Sequence, residues 1–184
     1  MGNFKVIACR IAGMYVIEPQ VFGDDRGYFM ETYNRRAFAD AGLDMEFVQN
    51  NQSMSKQGVL RGLHFQIKHP QGKLVRVLRG EVYDVGVDLR SGSPTYGQYH
   101  GEILSGENKK QMYIPEGFAH GFYVLSREAE FCYQCTDFYC PCDEGGVRWN
   151  DPDIAVPWPL LDGVPVRLSE KDRIQPFLRE IAPA

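Results

Sequence analysis

The stretch Gly58-Val59-Leu60-Arg61-Gly62-Leu63-His64-Phe65-Gln66 reads as a strand carrying one histidine, and Pro70-Gln71-Gly72 turns the chain so that Lys73 returns beside it. Strict alternation sets Leu60, Gly62, His64 and Gln66 on one face and Arg61, Leu63 and Phe65 on the other. The imidazole thus shares its side with small and polar neighbours. An imidazole facing a cavity, with a cation near it, is suited to take a proton from carbon while the resulting oxyanion is stabilised. Alternation turns Arg61 away from His64, and Gly62 is where a bulge would bring the two back together. Tyr133 shares a strand face with Phe131, Cys135 and Tyr139, and barrel closure would set that face opposite His64. Ser169-x-x-Asp172 has the form of a capping box, in which a carboxylate in the first turn is favourable without further duty. Asp172 could equally accept a hydrogen bond from one nitrogen of His64 and raise its basicity. Each residue has a plain structural alternative: a satisfied barrel histidine, a packing tyrosine, a helix cap.

The elements that must position these residues are short strands. Residues 4–18 hold one or two strands ending at Glu18-Pro19, Phe22–Gly27 is a turn, and Tyr28–Tyr33 a strand. Asn34 caps a short helix that runs to Ala41 and stops at Gly42. An amide-rich segment follows at Phe47–Gln52. Lys73–Leu78 and Glu81–Leu89 form a hairpin through Arg79-Gly80, the second strand alternating Tyr83, Val85, Val87 and Leu89 against Asp84, Gly86 and Asp88. Further strands are expected near 97–104, 110–114, 121–125, 130–139 and 146–149, and Ser169–Asp172 opens a terminal helix. Many short strands at this spacing, with no repeat or linker, predict a single all-β domain over 1–184, a sandwich or barrel of jelly-roll type.

Composition narrows the partners. The 184 residues, with 19 glycines and 11 prolines, suit one turn-rich domain with a buried core. A net charge of −4 without a basic run argues against nucleic acid. The apolar stretches are too short to cross a bilayer, and Arg10 interrupts what would be a poor signal peptide, so a cytoplasmic protein is expected. Cys132, Cys135, Cys140 and Cys142 have a spacing that suggests zinc, but alternation sends Cys132 and Cys135 to opposite faces and no Gly or Pro turns the chain between them. Free thiols are the expectation for these four and Cys9.

The segment Pro115-Glu116-Gly117-Phe118-Ala119-His120 is similar to the second half of the metal signature of cupin jelly rolls. The first half would need a His-x-His pair and a glutamate, and the chain offers His64 followed by Phe65, so the similarity supports the fold and argues against a metal. Arg26, Arg61 and Lys73 belong to no phosphate-binding loop. They flank Gln49, Asn50 and Asn51, which can donate to phosphate oxygens or read a pyrimidine edge.

Taken together, Phe22-Gly23-Asp24-x-Arg26-Gly27-x-Phe29-x-Glu31, Gln49-Asn50-Asn51-x-Ser53, Val59–Gln66, Gln71–Arg76, Ile114–Phe122, Trp149–Pro152 and Leu168-Ser169-x-Lys171-Asp172 resemble, in order, the dTDP-4-dehydrorhamnose 3,5-epimerase family. The resemblance implies a cupin-type double-stranded β-helix with short peripheral and C-terminal helices, without metal or cofactor. It also implies a homodimer in which one subunit's N-terminal segment reaches the partner's site. By motif position it makes His64 the general base, Asp172 its orienting partner, Tyr133 the acid on the opposite sugar face and Lys73 the enolate stabiliser. It makes Arg26, Glu31, Gln49, Asn50, Asn51, Arg61, His120, Glu144 and Lys171 substrate contacts, and Phe29 and Tyr139 the faces that hold thymine. The implied activity converts dTDP-4-dehydro-6-deoxy-D-glucose to dTDP-4-dehydro-L-rhamnose. Its rivals are an epimerase inverting C3 or C5 alone, a metal-dependent cupin and a non-catalytic nucleotide-sugar binding module.

Overall fold

Alternating apolar residues give strands throughout, and a computed structural model, which describes residues 3–181, shows how they pair. Met1 and Gly2, at the head of the segment read above as a poor signal peptide, and 182–184 lie outside the described residues. The order is β1 (Phe4–Ala8), β2 (Tyr15–Pro19), β3 (Val21–Asp24), β4 (Gly27–Met30), α1 (Arg35–Asp40), β5 (Gln49–Lys56), β6 (Leu60–Gln66) and β7 (Lys73–Arg79). Then come β8 (Glu81–Asp88), β9 (Tyr99–Ser105), β10 (Gln111–Ile114), β11 (Phe118–Val124), β12 (Glu128–Cys135), β13 (Glu144–Gly146) and α2 (Glu170–Arg173). Two antiparallel sheets result, one ordered β1-β2-β10-β7-β12-β5 and the other β13-β6-β11-β8-β9, with β3 and β4 as a separate ribbon. This is the expected all-β jelly roll. No helix among the described residues is long and apolar enough to cross a membrane.

Apolar residues fill three layers. Met14, Val75, Val82, Met112, Phe122 and Phe131 meet in the cluster between the sheets. Leu63, Val85, Val87, Tyr123, Val147 and Trp158 pack where the C-terminal segment covers the outer face of the five-stranded sheet. Phe38 of α1 joins Ile17, Leu43 and Leu74 over the other sheet. With both faces covered, β11 is buried at every position. Asn34 caps α1 by accepting from the Arg36 and Ala37 amides, as its position predicted.

The strand expected over Tyr28–Tyr33 ends at Met30 and that expected near 130–139 ends at Cys135, so Tyr139 lies beyond the strand of Tyr133; three further expectations change. β7 and β8 do not pair as a hairpin: β7 lies between β10 and β12, whereas β8 lies between β11 and β9. Gly80 turns the corner between sheets with φ +80°, where a Cβ would meet Glu128 O at 2.1 Å, so close crossing of chains replaces the tight ladder. Phe22–Gly27 is not simply a turn, since Val21–Asp24 pairs with Gly27–Met30. Third, the strand bearing His64 changes phase. Opposite it, His120 pairs with His64 but Phe122 pairs with Arg61, so two steps on β11 span three on β6. The extra residue puts Leu60 with Leu63 and Phe65 in the outer cluster and leaves Arg61 and His64 facing the same cavity. The expected bulge at Gly62 is therefore present, and it overrides the alternation that placed Leu60 beside His64.

At Gly62 a Cβ would lie 2.5 Å from Gly121 Cα, on a backbone with φ +131°. Gly62→Ala should lower the unfolding free energy by about 2–4 kcal/mol, through both strain and clash, whereas Gly92→Ala in open space should cost about 1 kcal/mol. Urea unfolding midpoints of the two variants check this; equal losses would remove the close approach as the cause.

Candidate active site

The inner faces of β5, β6, β7 and β12 and the segment after β12 enclose a cavity of about 200 Å³ lined by residues that include Gln49, Asn51, His64, Lys73, Tyr133 and Glu144. A second cavity, about 170 Å³, shares His64, Lys73 and Tyr133 and adds Arg61 and His120. Lys73 is the first residue of β7 and pairs across the sheet with Cys135, while Tyr133 pairs with Asn51 and Val75. Sheet closure therefore sets imidazole, ammonium and phenol around one space, as the sequence reading required.

His64 is held from behind. Its Nε2 lies 2.5 Å from Asp172 Oδ1, and Ser169 Oγ donates to the other carboxylate oxygen at 2.7 Å. Burial of Asp172, 3% exposed, raises its pKa, but the hydrogen bonds from His64 and Ser169 outweigh this and hold it below the usual carboxylate value. An ionised carboxylate can only accept, so Nε2 is the nitrogen that donates to it and Nδ1 is the one turned away from Asp172. Ser169 serves both readings: its hydroxyl accepts from the Asp172 amide as a helix cap and donates to the Asp172 side chain. One residue thus caps α2 and fixes the carboxylate.

A second imidazole–carboxylate pair was not anticipated. Asp84 on β8 is fully buried, and its oxygens lie 3.0 and 3.1 Å from His120 Nε2. The signal was present: Asp84 shares its strand face with Val82 and Gly86, and a carboxylate buried between such neighbours requires a partner. Burial pulls Lys73 below the ordinary lysine value, opposed by the negative fields of Cys135, Asp84 and Glu144. Desolvation pushes Tyr133 above the usual phenol value, with Cys135 adding to it, so the hydroxyl stays protonated. Phe131 stacks on Phe122 at 4.3 Å between ring centroids and lies 6.0 Å from His120, forming an aromatic wall.

The outer rim gathers Tyr139, Glu144 and Lys171. Tyr139 OH donates to Glu144 at 2.9 Å and Lys171 pairs with the same carboxylate. Burial acts to raise Glu144, but these two partners hold it low, and the shared hydrogen bond raises Tyr139. Arg61 Nε donates to Ser55 Oγ at 3.0 Å. Gln66, Gln71 and Ser53 also line the cavities although they were not named as contacts; Ser53 has the strand parity of Asn51, which could have found it.

Four expected contacts stand elsewhere. Asn50 alternates to the other face of β5, where its Oδ1 lies 3.4 Å from Cys132 Sγ, so this chain's cavity does not include it. Arg26, Phe29 and Glu31 sit on or just after the β3–β4 ribbon and do not line the cavity of their own chain. Arg26 pairs with Asp24, Glu31 accepts from Asn3 and Asn34, and Phe29 is 70% exposed. Cys132 and Cys135 take opposite faces as alternation predicted, bonding Asn50 and Asn51 respectively, and all five cysteines are free.

A family model described as dTDP-4-dehydrorhamnose 3,5-epimerase matches residues 8–180. The enzyme of that name from Pseudomonas aeruginosa is 59% identical over 170 residues, covering 92% of this chain and 93% of its own. That from Methanothermobacter thermautotrophicus is 53% identical over 180 residues, covering 98% and 97%. The solved structure of a Legionella pneumophila dTDP-6-deoxy-D-glucose-3,5-epimerase in complex with dTDP-4-keto-L-rhamnose superposes with a TM-score of 0.94 at 50% identity, over 97% of this chain and 95% of that one.

Because Asp84 helps keep Lys73 charged, Asp84→Asn should lower the lysine's pKa further. NMR titration of 13Cε-labelled lysine should show a Lys73 midpoint below 10.5 in the native chain, and lower still in the variant. An unmoved midpoint would mean that the two charges are screened from each other.

Proposed function

The chain belongs to the dTDP-4-dehydrorhamnose 3,5-epimerase family, and on that premise we propose which of its residues carry the reaction. The activity converts dTDP-4-dehydro-6-deoxy-D-glucose to dTDP-4-dehydro-L-rhamnose by inverting C3 and C5. The C4 ketone acidifies the hydrogens on both neighbouring carbons, so each inversion needs a base, an oxyanion stabiliser and an acid on the opposite face. In our reading His64 Nδ1 removes the proton, its charge compensated by Asp172. Lys73 donates to the enolate oxygen as the ketone gains charge. Tyr133, kept protonated by burial, delivers the new proton from the other side. This route needs neither metal nor redox cofactor, because the substrate's own carbonyl holds the electron pair. The observation that carries the proposal is that one cavity gathers His64, Lys73 and Tyr133 while Asp172 grips the far edge of the imidazole.

The remaining contacts follow from charge and shape. Arg61, His120, Gln49 and Asn51 supply donors along the cavity, and the Glu144–Lys171 pair with Tyr139 marks the rim, where a pyrimidine ring can lie on the phenol face. We assign Arg26, Phe29 and Glu31 to the site of a second copy. Their ribbon exposes Phe22 and Tyr28 as well as Phe29, and it would add a second aromatic face opposite Tyr139 and a further cation for a nucleoside diphosphate at the partner's rim. Asn50, turned outward, has no such route and is left out of the proposed contact set. We further propose that residues 1–184 act as one domain in the cytoplasm, where the nucleotide sugar is made available.

Deuterium exchange into substrate C3 and C5 tests the base. His64→Ala should slow exchange at both carbons by about 10²–10⁴, whereas Tyr133→Phe should slow product formation more than exchange. Exchange persisting at the native rate in His64→Ala would exclude His64 as the base, and a product inverted at one carbon would favour the mono-epimerase reading.

A subunit-mixing experiment tests the shared site. Arg26→Ala and His64→Ala, each inactive alone, should recover about a quarter of native activity when unfolded and refolded together, since half the dimers hold one intact site of two. No recovery, with mixed dimers shown by native mass spectrometry, would place Arg26 in its own chain's site.

A further inference from the structure

The steps above make no use of the cysteines, yet two of them stand against each other beside the rim. Cys140 and Cys142 flank Pro141 between β12 and β13, with their Sγ atoms 2.7 Å apart. Cys142 is exposed and Cys140 partly so, whereas Cys132 and Cys135 are buried. Pro141 opens a single 3-10 turn, Pro141–Asp143, that its ring favours. A residue in such a turn keeps the Cα atoms on either side roughly 5–6 Å apart, within the span of a disulfide. Pairing therefore asks for side-chain rotation and little backbone movement.

We propose that Cys140 and Cys142 form a reversible disulfide that governs how firmly the rim holds a thymine nucleotide. The oxidant is a low-molecular-weight disulfide, RSSR. The Cys142 thiolate attacks one sulfur and expels RS⁻; Cys140 then attacks the mixed disulfide and releases a second RSH. The protein loses two hydrogens, and RSSR is reduced to two thiols. The coupling follows from the loop's ties. The Tyr139 amide donates to Gln49 at 2.9 Å and the Cys140 amide to Gln66 at 2.7 Å, while the Asp143 carboxylate accepts from the Lys68 and His69 amides. Side chains hold most of this segment, with one backbone bond from Ile67 to Asp143 before the β13 ladder begins, and Tyr139 is 50% exposed. A covalent link between Tyr139 and Glu144 removes freedom at the rim, and a preorganised rim binds more tightly. The ring is short and exposed, so the bond adds little stability and is readily reduced. The effect on binding rests on the reading of Tyr139 and Glu144 as the nucleotide rim.

The test incubates the full chain in a glutathione disulfide buffer at about pH 8.5, where thiolate is available. Peptide mass spectrometry should find the segment carrying 140–142 lighter by two hydrogens, reversibly with dithiothreitol, while Cys132 and Cys135 remain free. Calorimetry with dTDP should then show about threefold tighter binding by the oxidised chain, and no response in Cys140→Ser or Cys142→Ser. Free thiols at both positions in that buffer, or equal dTDP affinity in the two forms, overturns the proposal. Absence of dTDP binding in either form would instead overturn the nucleotide-rim reading and the coupling with it, the mass change being read independently.

Discussion

A carboxylate almost wholly removed from water has to be paid for by the groups around it, and at Asp172 those groups are His64 and Ser169. The pair joins strand β6 to the C-terminal helix, which is far away in the chain. The imidazole is oriented only when the jelly roll has closed and the tail has crossed the outer face of the five-stranded sheet. The Leu63, Val85 and Trp158 cluster that seats the tail is thus what holds the proposed base in place. Hydrophobic burial there supplies the energy that keeps the imidazole and its carboxylate together in a poorly solvated place.

The same logic extends inward. Asp84 is fully buried and pairs with His120, and its field reaches Lys73. Two imidazoles, two carboxylates and one ammonium therefore share the interior of the barrel, with Tyr133 among them as a neutral phenol. At Asp172, Lys73 and Tyr133 desolvation works in one direction, against charge, and specific partners oppose it to different degrees. Asp172 stays low because it is bonded, Tyr133 goes up because the Arg61 charge only partly offsets its burial, and Lys73 is lowered by burial against opposing negative fields. Carboxylate, phenol and ammonium differ through environment as much as through residue type.

Function is divided between rigid and loosely tied parts. His64, Lys73 and Tyr133 lie on strands fixed by ladders on both sides, which suits groups that must meet a reacting carbon with small tolerance. Tyr139 lies where the β12 ladder has given out and before Glu144 begins the β13 ladder, and the Gln49 and Gln66 side chains accept from its segment instead. The β3–β4 ribbon is more detached still, with large aromatics open to solvent. The proposed proton-transfer groups thus lie on parts that cannot adjust, whereas Tyr139 and the ribbon residues proposed to meet the nucleotide lie on parts that can.

Residue types and their spacing were enough to establish the all-β class, the Asn34 cap, the two alternating sets of side chains along Glu81–Leu89 and the candidates His64, Lys73, Tyr133, His120 and Asp172, because each follows from local periodicity or from a side chain's intrinsic chemistry. The phase change at Gly62 was visible as a tension but not as a fact: it depends on β11 offering two residues where β6 offers three. The pairing of β7 and β8 was misread because a glycine corner between sheets and a hairpin turn look alike in one dimension. Asp84 escaped notice because its partner lies on another strand, and Asn50 was grouped with its neighbours because adjacency in sequence hides the side-to-side alternation of a strand. Which residues can act is a property of covalent chemistry and is written along the chain. Which of them meet is decided by long-range strand pairing, since only the closed barrel brings groups so distant in sequence within hydrogen-bonding reach.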